Sequence, residues 1–139
     1  MSVLPTAEAP ASRDDSVRSG FGVTMAVIAG SLGIMSYLHL AGVLTDGSPP
    51  FRSSDAGIAE AVIGVVLLAG ALAVWRIPDR ARPAALAAIG FALVGFVVGI
   101  SITAASGAAV DIAYHATVLP ILAVTMVLLL RSRRLITHG

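Results

Sequence analysis

Three ionisable residues stand inside long apolar runs of this chain, and they are the first candidates for chemistry. They are His39, Glu60 and His115. An ionisable side chain inside a membrane costs free energy, so such residues are candidates for ligand sites or proton pathways. With the orientation that the arginines indicate, all three lie roughly 6–8 Å beneath the same membrane surface, since a helix rises about 1.5 Å per residue. We therefore predict one polar layer that forms a ligand or proton site.

Several chemistries fit this layer. Two imidazoles and a carboxylate are the ligand set of a two-histidine, one-carboxylate metal site. The same groups suit a proton relay, or a quinone site in which histidine donates to a carbonyl. Haem ligation by His39 and His115 is a third alternative, because a helix bundle can hold a haem between facing helices. We expect no cofactor, and haem, quinone or a divalent metal stay as alternatives. Three neighbouring residues are candidates to support the layer: Tyr37, Asp111 and Tyr114.

A purely structural interpretation explains the same residues. Asp55 and Asp111 suit the first turn of a helix, where free backbone N–H groups favour an acid. Glu60 and His115 come about one turn later, from where a side chain can reach water at the surface. His39 would then form a hydrogen bond to a neighbouring helix. In this interpretation the polar layer only holds the helices together.

The elements that must position these residues are four apolar segments, at residues 21–44, 56–75, 84–105 and 110–130. Each is about as long as the ~20 residues that a helix needs to cross the membrane. Turn-forming residues separate them, including two prolines in the charged loop 76–83. The sequence therefore predicts an all-α, membrane-embedded four-helix bundle over residues 21–131. The second and fourth segments have similar charge patterns, which suggests two tandem two-helix units.

The arginines indicate the orientation of the bundle. Eight of the nine arginines lie before the first segment, between the second and third, or after the fourth, and Arg52 alone lies on the other side. Positive residues favour the cytoplasmic side, so both termini are predicted to be inside, in a bacterial cytoplasmic membrane. Residues 1–20 are predicted to be a flexible tail, and residues 132–139 a basic tail.

Small residues recur at helical spacing in two segments. Gly30 and Gly33 lie in the first segment, and Gly95 and Gly99 in the third. Small residues let membrane helices approach closely, so we expect these glycines to pack helices within the bundle or between copies of the chain. The partners predicted on these grounds are the lipid bilayer, and a homo-oligomer or a larger membrane complex.

The composition excludes several classes of function. The chain of 139 residues is 57% hydrophobic and 12% charged, and it has no cysteine. A soluble domain carries about 25% charged residues, so this apolar excess belongs in lipid. Without cysteine there is no thiolate ligand and no thiol nucleophile. The arginines form no basic face, which argues against nucleic acid as a partner.

Three runs of the sequence resemble those of a known group of proteins. They are residues 57–64 (GIAEAVIG), residues 90–95 (GFALVG) and the pair Tyr114-His115. The chain resembles, over about residues 21–131, uncharacterised small four-helix integral membrane proteins of high-GC Gram-positive bacteria. The resemblance implies the fold and no activity.

The functional prediction is a small multi-pass membrane protein, non-enzymatic, that serves as an accessory or structural subunit. The loops are too short to house a soluble active site, so any chemistry belongs to the polar layer. Two alternatives remain at this point. One is a redox, quinone, metal or haem-binding protein that uses the layer, and the other is a small oligomeric transporter subunit.

Overall fold

The computed structural model describes residues 13–45, 47–49 and 51–132. Within these residues the chain forms four α-helices and a short 3-10 turn at Pro78–Arg80, without strands. The helices are α1 (Arg13–Leu40), α2 (Ser53–Arg76), α3 (Ala81–Ser106) and α4 (Ala109–Arg131). All four are long and apolar enough to cross a membrane. The predicted all-α four-helix bundle is confirmed, and the length and hydropathy of its helices fit a small multi-pass membrane protein.

Helix α1 differs most from its prediction. It begins at Arg13, so residues 13–20 of the predicted tail are helical, and Arg18 and Asp15 form an ion pair of 2.9 Å one turn apart. It ends at Leu40, before the predicted residue 44, because Gly42 has a φ of 70°. Glycine takes this left-handed conformation readily and commonly ends a helix. Residues 1–12 and 133–139, which hold the rest of both predicted tails, lie outside the described residues.

Helix α3 begins earlier than the prolines of the charged loop suggested. It starts at Ala81 and contains Pro83 in its first turn. Proline is tolerated there because the first backbone N–H groups of a helix have no partner within the helix. At its other end, Gly107 has a φ of 74°, and its N–H donates to the Thr103 carbonyl. This left-handed residue stops α3 and turns the chain directly into α4.

The helices pack in the order of the chain, with α1 against α2, α2 against α3 and α3 against α4 as the closest pairs. The core contains the largest fully buried side chains, which are Met25, Leu32, Leu67, Val74, Ile89, Phe96 and Leu122. The outer faces are also apolar: Val65 is 67% exposed and Val94 is 66% exposed. Apolar residues all around a helix are typical of a membrane span, because lipid covers the outer face.

Small residues of both helices bring α1 and α2 close together. A side chain at Gly57 would meet Leu40, the His39 Cβ and the Ser36 carbonyl at 2.9–3.1 Å. The Ser36 hydroxyl donates to the Gly57 carbonyl at 2.7 Å. Near the opposite end of the same pair, Gly22 of α1 leaves room for the ring of Trp75. The close approach of α1 and α2 therefore depends on positions where a larger side chain does not fit.

The predicted packing glycines divide into two groups. In α3, Gly95 lies against Ile63 and Gly99 against the His115 ring, so both are contacts between helices. In α1, Gly30 and Gly33 have open space around them and face away from the other helices. Within this chain they do not pack, and only a contact with a second copy stays as a prediction for them.

The Gly57 contact generates a prediction. Replacing Gly57 by Val should lower the free energy of unfolding by about 1–3 kcal/mol, because the added methyls overlap α1 and force the helices apart. The measurement is unfolding of the purified protein in detergent. The matched control is Gly20→Val in α1, which adds the same side chain in open space. Equal losses of stability in both variants would contradict the close packing at Gly57.

Candidate functional site

One end of the bundle concentrates the buried ionisable residues. It is the end at which α1 leads into α2 and α3 into α4. His39 lies in the last turn of α1, Glu60 lies about two turns into α2, and Asp111 lies in the first turn of α4. Their exposed fractions are 2%, 6% and 3%, respectively. Three helices thus bring one imidazole and two carboxyl groups together in a buried position.

The His39 ring lies between the two carboxyl groups. Its Nδ1 is 2.8 Å from Glu60 Oε2, and its Nε2 is 3.3 Å from Asp111 Oδ1. We call these three residues the triad. A carboxylate only accepts hydrogen bonds, and a neutral imidazole has one N–H to donate. Both contacts are hydrogen bonds only if His39 is an imidazolium or one carboxyl group is protonated.

With both contacts made as hydrogen bonds, the triad holds at least one proton more than a neutral imidazole between two carboxylates. With a single proton shared in this way, two carboxylates face one imidazolium and one net negative charge remains. Buried charge without compensation is costly, and a second proton would neutralise this charge. The second oxygen of Glu60, Oε1, is buried and has no hydrogen-bond partner in the described part of the chain. This oxygen is therefore the free hydrogen-bond acceptor of the triad.

Backbone and loop contacts hold His39 in place. The Ser53 hydroxyl, at the start of α2, donates to the His39 carbonyl at 3.0 Å. The Phe51 ring meets the His39 ring edge-on, with centroids 6.0 Å apart. The Ser48 N–H donates to the Ser106 carbonyl at 3.0 Å, which ties the loop after α1 to the end of α3. The loop between α1 and α2, the start of α2 and the end of α3 therefore fix the end of the bundle that carries the triad.

His115 lies beside the triad and is not a member of it. Its Nδ1 is 2.7 Å from the Asp111 carbonyl oxygen, one turn earlier in α4. Its ring packs on Phe96, with centroids 5.0 Å apart, and Nε2 points toward Gly99 of α3. Of the three residues predicted to share a layer, the structure brings His39 and Glu60 into contact. It turns His115, which is 8% exposed, toward α3.

The three residues that were predicted to support the polar layer have different surroundings in the structure. Asp111, predicted as a supporting group, is a full member of the triad. Tyr114 reaches α1 instead, where its hydroxyl is 2.8 Å from the Ser31 hydroxyl. Tyr37 supports nothing in the site, because its side chain is 69% exposed on the outer face of α1. Consecutive helical positions point in different directions, and Tyr37 precedes His39 by only two residues.

A metal ion is a partial fit to the triad. One ligand atom from each of His39, Glu60 and Asp111 lies within 4.8 Å of the others. Zinc binds nitrogen and oxygen ligands at about 2.0–2.2 Å, so the three atoms would have to move closer. A metal on either nitrogen of His39 would also displace one carboxylate from its contact. Haem ligation by His39 and His115 fits less well, since both nitrogens of His39 already face carboxyl groups.

Sequence reasoning underestimated Asp111 because acids in the first turn of a helix commonly serve the free backbone N–H groups. In the structure the Asp111 side chain faces His39 of α1 instead. One signal was present: Asp111 precedes His115 by one turn, so both lie on the same face of α4. The serine contacts at residues 31, 36 and 53 gave no signal, because serine is common in membrane helices.

The triad generates a prediction about stability. Replacing His39 by Leu should lower the free energy of unfolding by about 3–5 kcal/mol, since two buried carboxyl groups lose their shared partner. Adding Glu60→Gln and Asp111→Asn to that variant should recover part of the loss, because neither neutral amide needs a counter-charge. Unfolding in detergent measures both effects.

The control for this experiment is Tyr37→Leu, on the outer face of the same helix. It should change stability by less than about 0.5 kcal/mol. A His39→Leu variant as stable as Tyr37→Leu would show that the triad contributes nothing to the fold.

Comparisons with protein-family models, with curated proteins and with solved structures find no match to this chain. Neither family nor fold likeness therefore supplies a function. What the protein does has to be inferred from the chemistry of the site itself.

Proposed function

We propose that this chain is a small non-enzymatic subunit of a bacterial cytoplasmic membrane that binds and releases a proton at the triad. One observation carries the proposal. The imidazole of His39 lies between two buried carboxyl groups, each on a different ring nitrogen. This arrangement requires at least one shared proton, and a second would neutralise the charge that remains. Intramembrane groups of this kind are typical of proton relays in transport proteins.

The orientation of the triad in the membrane is part of the proposal. Both ends of the described chain lie at the end of the bundle opposite the triad. That end carries Arg18, Arg76, Arg80, Arg82 and Arg131, whereas Arg52 lies at the triad end. The positive-inside rule supports cytoplasmic termini and a triad in the outer half of the membrane. The resemblance to small membrane proteins of high-GC Gram-positive bacteria supports the choice of membrane.

A proton site fits both an accessory subunit and a small transporter subunit. The short connections between the helices leave no room for an active site outside the membrane. Gly30 and Gly33, which face outward on α1, offer a surface where a second copy could approach closely. The proton site does not depend on which assembly the chain joins, because all members of the triad belong to one chain.

Metal binding at the triad is the second candidate, supported by three ligand atoms within 4.8 Å. The two candidates differ in what a change of pH does. A proton site gains and loses a proton at a carboxyl group, whereas a metal site keeps its carboxylates ionised as long as the metal is bound. Metal analysis of the purified protein therefore belongs to the same experiment.

Infrared difference spectroscopy between acidic and alkaline pH tests the proposal on the purified protein in lipid vesicles. We expect a carboxyl C=O band from a protonated buried acid that disappears at alkaline pH. Glu60→Gln should abolish this band or shift it, and Asp111→Asn should also change it, because the two carboxyl groups share one imidazole. The matched control is Asp79→Asn, which removes an exposed acid from the turn at the opposite end of the bundle.

Two results would contradict the proton site. In the first, the difference spectrum is the same in Glu60→Gln, Asp111→Asn and the unaltered protein, which means that the triad exchanges no proton and serves only to hold helices together. In the second, the protein contains stoichiometric metal that His39→Ala removes, which makes the triad a metal site.

A further inference from the structure

Next to the triad the bundle contains a cavity of about 460 Å³. It lies between α2 and α3 and reaches the start of α4. Its rim includes side chains that are exposed on the outer face of the bundle, namely Val62, Phe91, Val98 and Ile102. In a membrane these residues face the acyl chains, so the cavity is accessible from the lipid. Sites for small molecules are typically about 300–1,000 Å³ and mostly apolar, with a few well-placed polar groups.

Two polar atoms of the residues that line this cavity lack partners, and both are hydrogen-bond acceptors. The first is Glu60 Oε1, which is buried and unpaired among the described residues. The second is His115 Nε2. Since the Asp111 carbonyl can only accept, the proton of a neutral His115 is on Nδ1, and Nε2 keeps its lone pair. Nε2 has no hydrogen-bond partner within residues 13–45, 47–49 and 51–132. A ligand that suits both atoms donates hydrogen bonds or carries positive charge.

The charges around the cavity also favour a positively charged ligand. Three acids line it, Asp55, Glu60 and Asp111, against the single guanidinium of Arg52. Four aromatic rings also contribute to the walls, those of Phe51, Phe91, Phe96 and Tyr114. Aromatic faces attract cations, and the attraction is larger when the cation is removed from water. The combination favours an apolar cation over an anion, and over a neutral molecule that only accepts hydrogen bonds, such as a quinone.

We infer that this cavity binds a lipophilic cation, an organic amine or onium ion with an aromatic or branched apolar body, in exchange for a proton of the triad. The exchange rests on the proposed proton site. A cation beside Glu60 stabilises its ionised form, so the proton on the triad leaves as the ligand enters. One positive charge replaces another, and the charge buried at this end of the bundle stays constant.

The test uses tetraphenylphosphonium as the probe, with equilibrium binding to the purified full-length protein in detergent or vesicles. Its charge is permanent, so any effect of pH arises from the protein. We expect the dissociation constant to fall as the pH rises, by up to about tenfold per pH unit, because one proton leaves for each cation bound. The neutral control is triphenylphosphine oxide, which is similar in shape at its aromatic end and only accepts hydrogen bonds. It should bind at least tenfold more weakly.

Two variants separate this inference from the proposed function. Glu60→Gln should weaken phosphonium binding at least tenfold and remove its dependence on pH. Phe91→Ala, at the rim, should weaken binding severalfold and leave the infrared carboxyl band unchanged, since it does not touch the triad. Asp79→Asn, in the turn at the opposite end of the bundle, is the control and should bind like the unaltered protein. Unfolding measurements establish that each variant is folded.

Several results would overturn the inference. They are the absence of phosphonium binding, equal binding of the neutral oxide, unchanged affinity in folded Glu60→Gln, and affinity independent of pH. Each leaves the infrared result to decide on the proton site separately. If the carboxyl band titrates and the phosphonium does not bind, the proton site stands and the cation site is wrong.

Discussion

Two carboxyl groups buried at one depth of an apolar bundle need a shared partner, and the rest of this structure is arranged around that requirement. Among the described residues, only the side chain of His39 makes polar contacts with both Glu60 and Asp111. For its ring to reach both, α1 has to lie close to α2 and the start of α4 has to face α1. The absence of a side chain at Gly57 meets the first condition. The abrupt turn at Gly107 supports the second, because it starts α4 at the depth where His39 ends α1.

The same constraint explains how α1 and α4 are joined. These helices are not among the closely packed pairs, and polar side chains connect them. His39 reaches Asp111 near the end of the bundle, and Ser31, about two turns earlier in α1, reaches Tyr114. In a membrane, where apolar contacts between helices gain little over contacts with lipid, such polar bonds contribute to association. The state of the triad's protons therefore bears directly on the contact between α1 and α4.

The sequence was sufficient to predict four long apolar helices, because long apolar runs have few other structures open to them in lipid. It also identified His39 and Glu60, since an ionisable residue in such a run is conspicuous. It failed where geometry decides between neighbouring positions. Asp111 was predicted as a supporting group or a helix-terminal acid and is a member of the triad, whereas His115 was predicted as a member and faces α3. Rotation of a helix about its own axis makes that difference, and the apolar pattern of α4 does not fix it.

The chain has a single tryptophan, Trp75, and its ring lies against Gly22 where α1 and α2 meet near the cytoplasmic end proposed for the bundle. No other indole contributes to fluorescence, so the emission of this protein reports on one contact. That contact belongs to the same pair of helices that holds His39 against Glu60, at the far end from the triad. A shift of α1 along α2 would change the surroundings of the indole. The tryptophan fluorescence of this protein therefore reports whether a change at the triad alters the packing of α1 against α2 at the other end of the bundle.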